Sequence, residues 1–108
     1  MACENGVCAL SGQVRQLRRA GVEAHQAGDT ELAVTLLTRS MDLSRMGGSP
    51  EVSTAHSAYR LALVLHEASR FDEAARHFEM ALGLARDRAG CGSRLYRTIL
   101  GDFAQALA

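Results

Sequence analysis

One helical hairpin occurs twice in this chain, and its second copy follows the first by 41 residues. The copies span residues 17–45 and 58–86. Self-similarity at a period of roughly 20 to 50 residues is typical of stacked units, each of which buries its apolar face against the next. The repeat therefore predicts a helical array and favours a binding scaffold over an enzyme. The positions that are identical in both copies are Arg19/Arg60, His25/His66, Ala27/Ala68, Ala33/Ala74, Leu43/Leu84 and Arg45/Arg86.

Composition points to one all-α domain. The chain has 108 residues, of which 47% are hydrophobic and 22% charged, as is typical of a soluble globular domain. Alanine, leucine and arginine are the most frequent residues, and a single proline occurs, so intrinsic helix propensity is high. Twelve basic residues balance twelve acidic ones, which leaves no global field to attract nucleic acid or an anionic membrane. We expect neither of these as a partner.

The three cysteines, Cys3, Cys8 and Cys91, are an odd number in a chain without a recognisable signal peptide. This favours a cytoplasmic location, and no apolar run approaches the roughly 20 residues that cross a bilayer. Cys3 and Cys8 form a C-x4-C pair, which alone is a weak signal for zinc or redox chemistry. We expect free thiols, with no metal and no cofactor, and a thiol- or metal-dependent role is the minority alternative.

The apolar periodicity predicts five helices after a flexible lead-in at residues 1–12. Gly28 suits a left-handed turn after the first helix, and Asp29 suits the N-cap of the second. Ser49 is predicted to be the N-cap of the third helix, and Pro50 to stand in its first turn, where a missing N–H costs nothing. The predicted helices span residues 13–27, 30–46, 50–68, 71–88 and 93–108. They make one domain, residues 13–108, with full repeats at 13–46 and 50–88 and a half repeat at 93–108.

The fifth helix is apolar around most of its circumference. Leu95, Ile99, Phe103 and Leu107 follow one stripe, and a neighbouring stripe is apolar as well. A helix that covers one neighbour and then faces water needs less apolar surface than this. These four residues are therefore predicted to join two copies of the chain in a homodimer.

The two copies resemble the tetratricopeptide repeat family. The period of 41 residues exceeds the usual 34 or so and resembles the longer repeats of the kinesin light chain type. Tryptophan and the proline that commonly closes a repeat are absent from the copies. The resemblance implies a right-handed solenoid of stacked antiparallel hairpins. The matching residues are Leu17, Ala20, Gly21, Ala24, Gly28, Ala33, Leu37 and Ser40 in the first copy, and Ala58, Leu61, Ala62, Leu65, Phe71, Ala74, Phe78, Ala81 and Leu84 in the second.

In this family the first helix of each repeat lines a concave groove that holds partner peptides. Arginine, histidine and tyrosine beside apolar contacts indicate an acidic or carboxylate-bearing peptide. An ordinary solvated helix face is an equally weighted alternative. Val22 and Leu63 stand where the chaperone-binding members need asparagine, which argues against that particular partner. The predicted groove residues are Arg15, Arg18, Val22 and His25 from the first copy and His56, Tyr59, Leu63 and His66 from the second.

The sequence contains no nucleophile motif of the G-x-S-x-G type, no phosphate loop and no H-E-x-x-H motif. We therefore predict no catalytic residues and no enzymatic activity. The recurrence of His25 and His66 invites a metal role, but duplication of one ancestral unit explains it as well. The first hypothesis is an adaptor that reversibly binds a partner peptide or helix, and the alternative is a self-associating structural module.

Overall fold

The computed structural model describes the backbone of residues 7–46 and 51–107 and the side chains from Ser11 onward within those ranges. This part of the chain is helical and contains no strand, so the predicted all-α class is confirmed. Ser49 and Pro50, the predicted start of the third helix, lie outside the described residues. The helices are α1 (Val7–Gln26), α2 (Thr30–Met46), α3 (Glu51–Glu67), α4 (Phe71–Ala89) and α5 (Arg94–Leu107).

The start of the first helix differs most from the sequence-based prediction. The predicted start at Gln13 is wrong, because α1 already begins at Val7. Residues 7–10 are apolar or small and contain no helix breaker, so helical propensity continues back to the Asn5-Gly6 pair. The division into a lead-in and a repeat domain stays a prediction.

The two hairpin turns use the same left-handed conformation at equivalent repeat positions. Gly28 has φ of 88° and Ser69 has φ of 64°. The next residue in each turn donates its backbone N–H back to the preceding helix, from Asp29 to Ala24 and from Arg70 to Leu65, at 2.9 Å in both cases. These bonds satisfy carbonyl groups that a helix end leaves without partners. The left-handed turn predicted at Gly28 is thereby confirmed.

Asp29 also caps α2, as predicted. Its carboxylate accepts a hydrogen bond from the backbone N–H of Leu32 at 3.2 Å. A side-chain acceptor at this position satisfies one of the free N–H groups in the first turn of a helix. The sequence Gly28-Asp29 therefore both ends α1 and begins α2.

Small residues let the two helices of each hairpin approach closely. A Cβ atom built on Gly21 of α1 would lie 2.6 Å from Cγ of Leu37 in α2. The equivalent pair in the second hairpin is Ala62 in α3 and Phe78 in α4, and both are buried. Bulky side chains of one helix thus fill the space that small residues of the other leave open.

The hairpins stack in chain order. Helix α2 packs against α3, α4 packs against α5, and one apolar core extends from Ala24 to Ile99. Helix α5 covers the end of this core, and its residue Ile99 belongs to the core and has no exposed surface. Within the described residues, no helix is both long and apolar enough to cross a membrane.

Gly21→Ala tests the close approach in the first hairpin. The added methyl group must displace the buried Leu37, and overpacking of this kind typically costs about 1–3 kcal/mol. Gly12→Ala in the same helix is the matched control, because its new Cβ meets nothing within 4 Å. Alanine is more favourable than glycine inside a helix by about 1 kcal/mol, so this substitution should stabilise the protein. Guanidinium unfolding should show the control to be more stable than wild type, and the Gly21 variant should lie at least about 1 kcal/mol below the control. Equal stabilisation by both substitutions would contradict the packing.

Candidate functional site

Arg18 joins the first helices of the two repeats. Its Nη1 donates hydrogen bonds from α1 to the backbone oxygen of Ser53 at 3.0 Å, to Oγ of Ser53 at 3.3 Å and to Oγ of Ser57 at 3.1 Å in α3. Three contacts from one nitrogen fix the position of this guanidinium. Arg18 is therefore a bridge between α1 and α3, and not the ordinary surface arginine of the alternative interpretation.

A buried chain of hydroxyl groups continues behind this bridge. Ser57 and Ser40 share a hydrogen bond of 2.8 Å between their hydroxyls, and Ser40 donates to the backbone oxygen of Val14 at 2.9 Å. Ser44 and Thr54 form a similar hydroxyl pair at 2.6 Å. Because these groups are buried, each would be costly to leave without a partner. The network thus fixes how the first repeat sits on the second.

An open cleft lies between α1 and α3 on the surface beside Arg18. It has a volume of about 300 Å³ and adjoins a second hollow of about 270 Å³, which shares Arg15, Arg18 and His56 with it. We call the larger hollow the basic cleft. Its lining residues are Arg15, Arg18, Arg19, Val22, Glu23, His56 and Arg60.

The basic cleft has more positive charge than the protein neutralises. In the described part of the chain, its arginines form no ion pair with a carboxylate. Burial, and then the charges of Arg15 and Arg60, lower the pKa of the Arg18 guanidinium from its ordinary value; arginine nevertheless stays charged. Burial, and then the charges of Arg18 and Arg60, also lower the pKa of the His56 imidazole, which favours its neutral form.

The C-terminal ends of α1 and α3 are occupied by other contacts. Nε2 of His25 lies 3.0 Å from a carboxylate oxygen of Glu67, and the ring of His66 stacks edge-on against Phe71 with centroids 5.2 Å apart. Leu63 is partly buried and packs on the apolar core. His25, Leu63 and His66 are therefore not among the residues that line the basic cleft, and their part in binding stays a prediction.

Tyr59 lies at the junction with α5. Its hydroxyl donates a hydrogen bond to Asp102 of α5, and its ring lies 6.5 Å from that of Phe78. Burial, and then the hydrogen bond and charge of Asp102, raise the pKa of Tyr59 to about 12. The neighbouring Arg60 places its guanidinium carbon 5.6 Å from the centre of the Tyr59 ring. The structure thus gives Tyr59 a role in holding α5, apart from the basic cleft.

Four of the eight predicted groove residues come together in the basic cleft: Arg15, Arg18, Val22 and His56. The prediction missed Arg19, Glu23 and Arg60. Arg19 and Arg60 are identical positions of the repeat, and this recurrence on the first helix of each hairpin was the available signal. The hydroxyl partners Ser53 and Ser57 had no signal in the sequence, because only the approach of α1 to α3 gives them a function.

The apolar stripe of α5 differs from the predicted dimer surface. Ile99 is fully buried inside the monomer, and Phe103 stacks on Phe78 with centroids 5.1 Å apart. Leu95 also packs on the core, whereas Leu107 is 70% exposed. Ile99 therefore cannot contribute surface to a dimer, because α4 already covers it.

A larger hollow of about 510 Å³ lies on the outer side of α2. Its described lining residues, from Val34 to Met46, all come from this one helix. Where side chains are described, no second helix contributes to it, and its charged residues there are one arginine and one aspartate, Arg39 and Asp42. It is a helix surface and a weaker candidate than the basic cleft.

Cysteine and metal chemistry receive no further support. Cys91 is a free, exposed thiol, and Cys3 and the side chain of Cys8 lie outside the described residues. Where side chains are described, no group of three histidine, cysteine, aspartate or glutamate residues is placed to hold a metal ion.

Comparison with protein families gives one match. A family model described as tetratricopeptide repeat matches residues 14–87, which span both hairpins and the basic cleft. Comparison with curated proteins and with solved structures gives no match.

The Tyr59–Asp102 contact predicts a loss of stability at alkaline pH. Unfolded tyrosine titrates near pH 10, so from about pH 10 to about 12 the folded chain keeps a proton that the unfolded chain loses. The free energy of unfolding therefore falls as the pH rises through this window, and Tyr59→Phe should make the fall shallower. Chemical unfolding at several alkaline pH values measures this slope. Tyr96→Phe is the control, and equal slopes for wild type and Tyr59→Phe would refute the assignment.

Proposed function

Because the chain belongs to the tetratricopeptide repeat family, whose members generally mediate protein–protein interactions, we propose that it is an adaptor for an acidic partner. An extended acidic segment of the partner protein binds reversibly in the basic cleft. The family is typically a non-enzymatic scaffold, and the proposed mechanism makes and breaks no covalent bond. A cytoplasmic location and the kinesin light chain-like subtype stay predictions.

The observation that carries this proposal is the collection of four arginines around one open cleft. Arg15, Arg19 and Arg60 are exposed, so their guanidinium groups are available to a ligand. Arginine and carboxylate form charge-assisted, often bidentate hydrogen bonds. Val22 adds an apolar contact between the charged groups. A segment with carboxylates spaced around an apolar side chain matches this lining.

The position of His56 in the lining suits the same class of partner. A neutral imidazole both donates and accepts hydrogen bonds, so it can contact the peptide backbone without adding repulsion among the arginines. Arg18 is held by α3 and supplies a charge whose position is already fixed. Less conformational entropy is then lost on binding than with a free side chain.

The double variant Arg15→Glu/Arg60→Glu tests the cleft. Both positions are exposed, so the fold should persist, while affinity for a labelled peptide rich in aspartate and glutamate should fall at least about tenfold, the equivalent of one lost charge-assisted hydrogen bond. Fluorescence anisotropy measures the affinity and circular dichroism the helical content. Arg18 is left in place because its removal would break the hydrogen bonds that join α1 to Ser53 and Ser57 of α3.

Arg45→Glu/Arg76→Glu is the matched control for this experiment. It changes the net charge equally at exposed positions of α2 and α4 that do not line the cleft. At physiological salt, charges farther away than about 8 Å are largely screened, so this variant should bind the acidic peptide nearly as wild type does. Equal loss in both double variants would assign binding to net charge alone. Undiminished binding by the Arg15/Arg60 variant would place the site elsewhere.

We propose self-association through α5 as the second function. The observation that favours it is that α5 exposes Leu100 by 43% and Leu107 by 70% after packing on α4. In this proposal Leu107 is still an interface residue. Leu95 and Phe103 contribute only the part of their surface that packing on the core leaves exposed. The interface is accordingly smaller than the predicted one.

Light scattering at high protein concentration tests the dimer. The wild-type chain should dimerise, and Leu100→Asp/Leu107→Asp should leave it monomeric, because charges at the centre of an apolar contact oppose its burial. Leu32→Asp/Met46→Asp alters two other exposed apolar residues, on α2, and should leave the dimer intact. A wild-type chain that is monomeric at every concentration would exclude self-association.

A further inference from the structure

The charge of the basic cleft exceeds what a single carboxylate neutralises. Four guanidinium groups line it, and among its described lining residues the one carboxylate is that of Glu23. Glu23 is exposed and forms no ion pair in the described part of the chain. A ligand group that enters this cleft therefore meets a net positive charge from several directions.

Arg18 adds hydrogen-bonding capacity that the protein leaves unused. Only its Nη1 donates to α3, although a guanidinium carries five N–H donors. Within the described residues, no hydrogen bond is found for its Nε or Nη2. A half-buried cation that is fixed on one edge thus retains free donors on its other edge, beside Arg15 and Arg60.

We infer that the basic cleft recognises a phosphorylated side chain, phosphoserine or phosphothreonine, within the acidic segment of the partner; this inference rests on the proposed adaptor function. A phosphomonoester brings a charge of about −1.5 to −2 and three strong acceptor oxygens in one compact group. A carboxylate brings one charge and two oxygens. Planar guanidinium forks match phosphate oxygens bidentately, and clusters of arginine are a recurrent means of recognising phosphorylated peptides.

The distribution of charge favours a phosphorylated peptide over nucleic acid. Nucleic-acid affinity arises from many phosphate contacts along an extended basic surface, whereas the chain as a whole is neutral. The excess described here lies around one cleft of about 300 Å³ and the smaller hollow that adjoins it. Such a cleft suits one doubly charged group with a peptide on either side of it.

Three peptides of one acidic sequence test the inference, with serine, glutamate or phosphoserine at the central position. The phosphoserine peptide should bind at least about tenfold more tightly than the glutamate peptide, as expected for one further charge-assisted contact. Arg15→Glu/Arg60→Glu should abolish this preference, and Arg45→Glu/Arg76→Glu should retain it. A single-stranded oligonucleotide of equal charge should bind more weakly than the phosphopeptide.

A second measurement uses single amino-acid derivatives, so that its result does not depend on the sequence of a peptide. N-acetyl-phosphoserine amide should shift the Arg18 Nε–H resonance in NMR titrations, and N-acetyl-glutamate amide should shift it less at equal concentration. Equal responses to both compounds, together with equal affinity of the glutamate and phosphoserine peptides, would overturn the inference and leave the adaptor proposal standing. If the cleft binds no acidic peptide, both proposals fail. Tighter binding of the oligonucleotide would assign the cleft to nucleic acid.

Discussion

The hydrogen-bonded chain from Arg18 through Ser57 and Ser40 to the backbone of Val14 is the interaction on which the rest of the structure depends. It links α1, α2 and α3, and so fixes the spacing of the two helices that form the basic cleft. A purely apolar junction would tolerate small sliding movements, whereas buried hydroxyls that lose their partners incur a desolvation penalty of about 1–3 kcal/mol each. The position of the first repeat on the second is thereby specified as well as stabilised.

The junction of the second hairpin with α5 is held by different side chains from those of the first junction. Tyr59 occupies the repeat position of Arg18, 41 residues later, and it too reaches the following helix, through Asp102 of α5. Ser40, however, is replaced by the apolar Ala81 at its repeat position, and the second junction is filled by Ile99 and the stacked rings of Phe78 and Phe103. The duplicated hairpin thus defines the scaffold, and the side chains that differ between the junctions give the α1–α3 junction an arginine-lined cleft and the α4–α5 contact an apolar filling.

Local features of this fold could be predicted from the sequence, since they depend on residues close together in the chain. Helical periodicity identified the hairpins, and Gly28 with Asp29 identified a turn whose geometry the structure confirms. The residues that contact a given helix face could not be predicted in this way, because they depend on the angle at which the hairpins stack. Tyr59 was therefore expected in the groove although it bonds to α5, and Ile99 was expected at the surface although α4 covers it. Similarly, nothing in the sequence distinguishes Ser57 from any other helical serine, because its hydrogen bond with Arg18 depends on how α1 packs on α3.

In the proposed binding mode, the packing of α1 on α3 and the binding of the ligand both depend on Arg18. This guanidinium is half-buried beside Arg15 and Arg60, and the lowered pKa of Arg18 reflects both burial and repulsion. Its hydrogen bonds to α3 nevertheless hold it there, so the free protein keeps several positive charges close together at a cost in stability. An anionic group in the basic cleft offsets that repulsion without requiring Arg18 to move. Because a ligand that binds only the folded state also stabilises it, an anionic partner would strengthen the same α1–α3 junction that positions its own binding site.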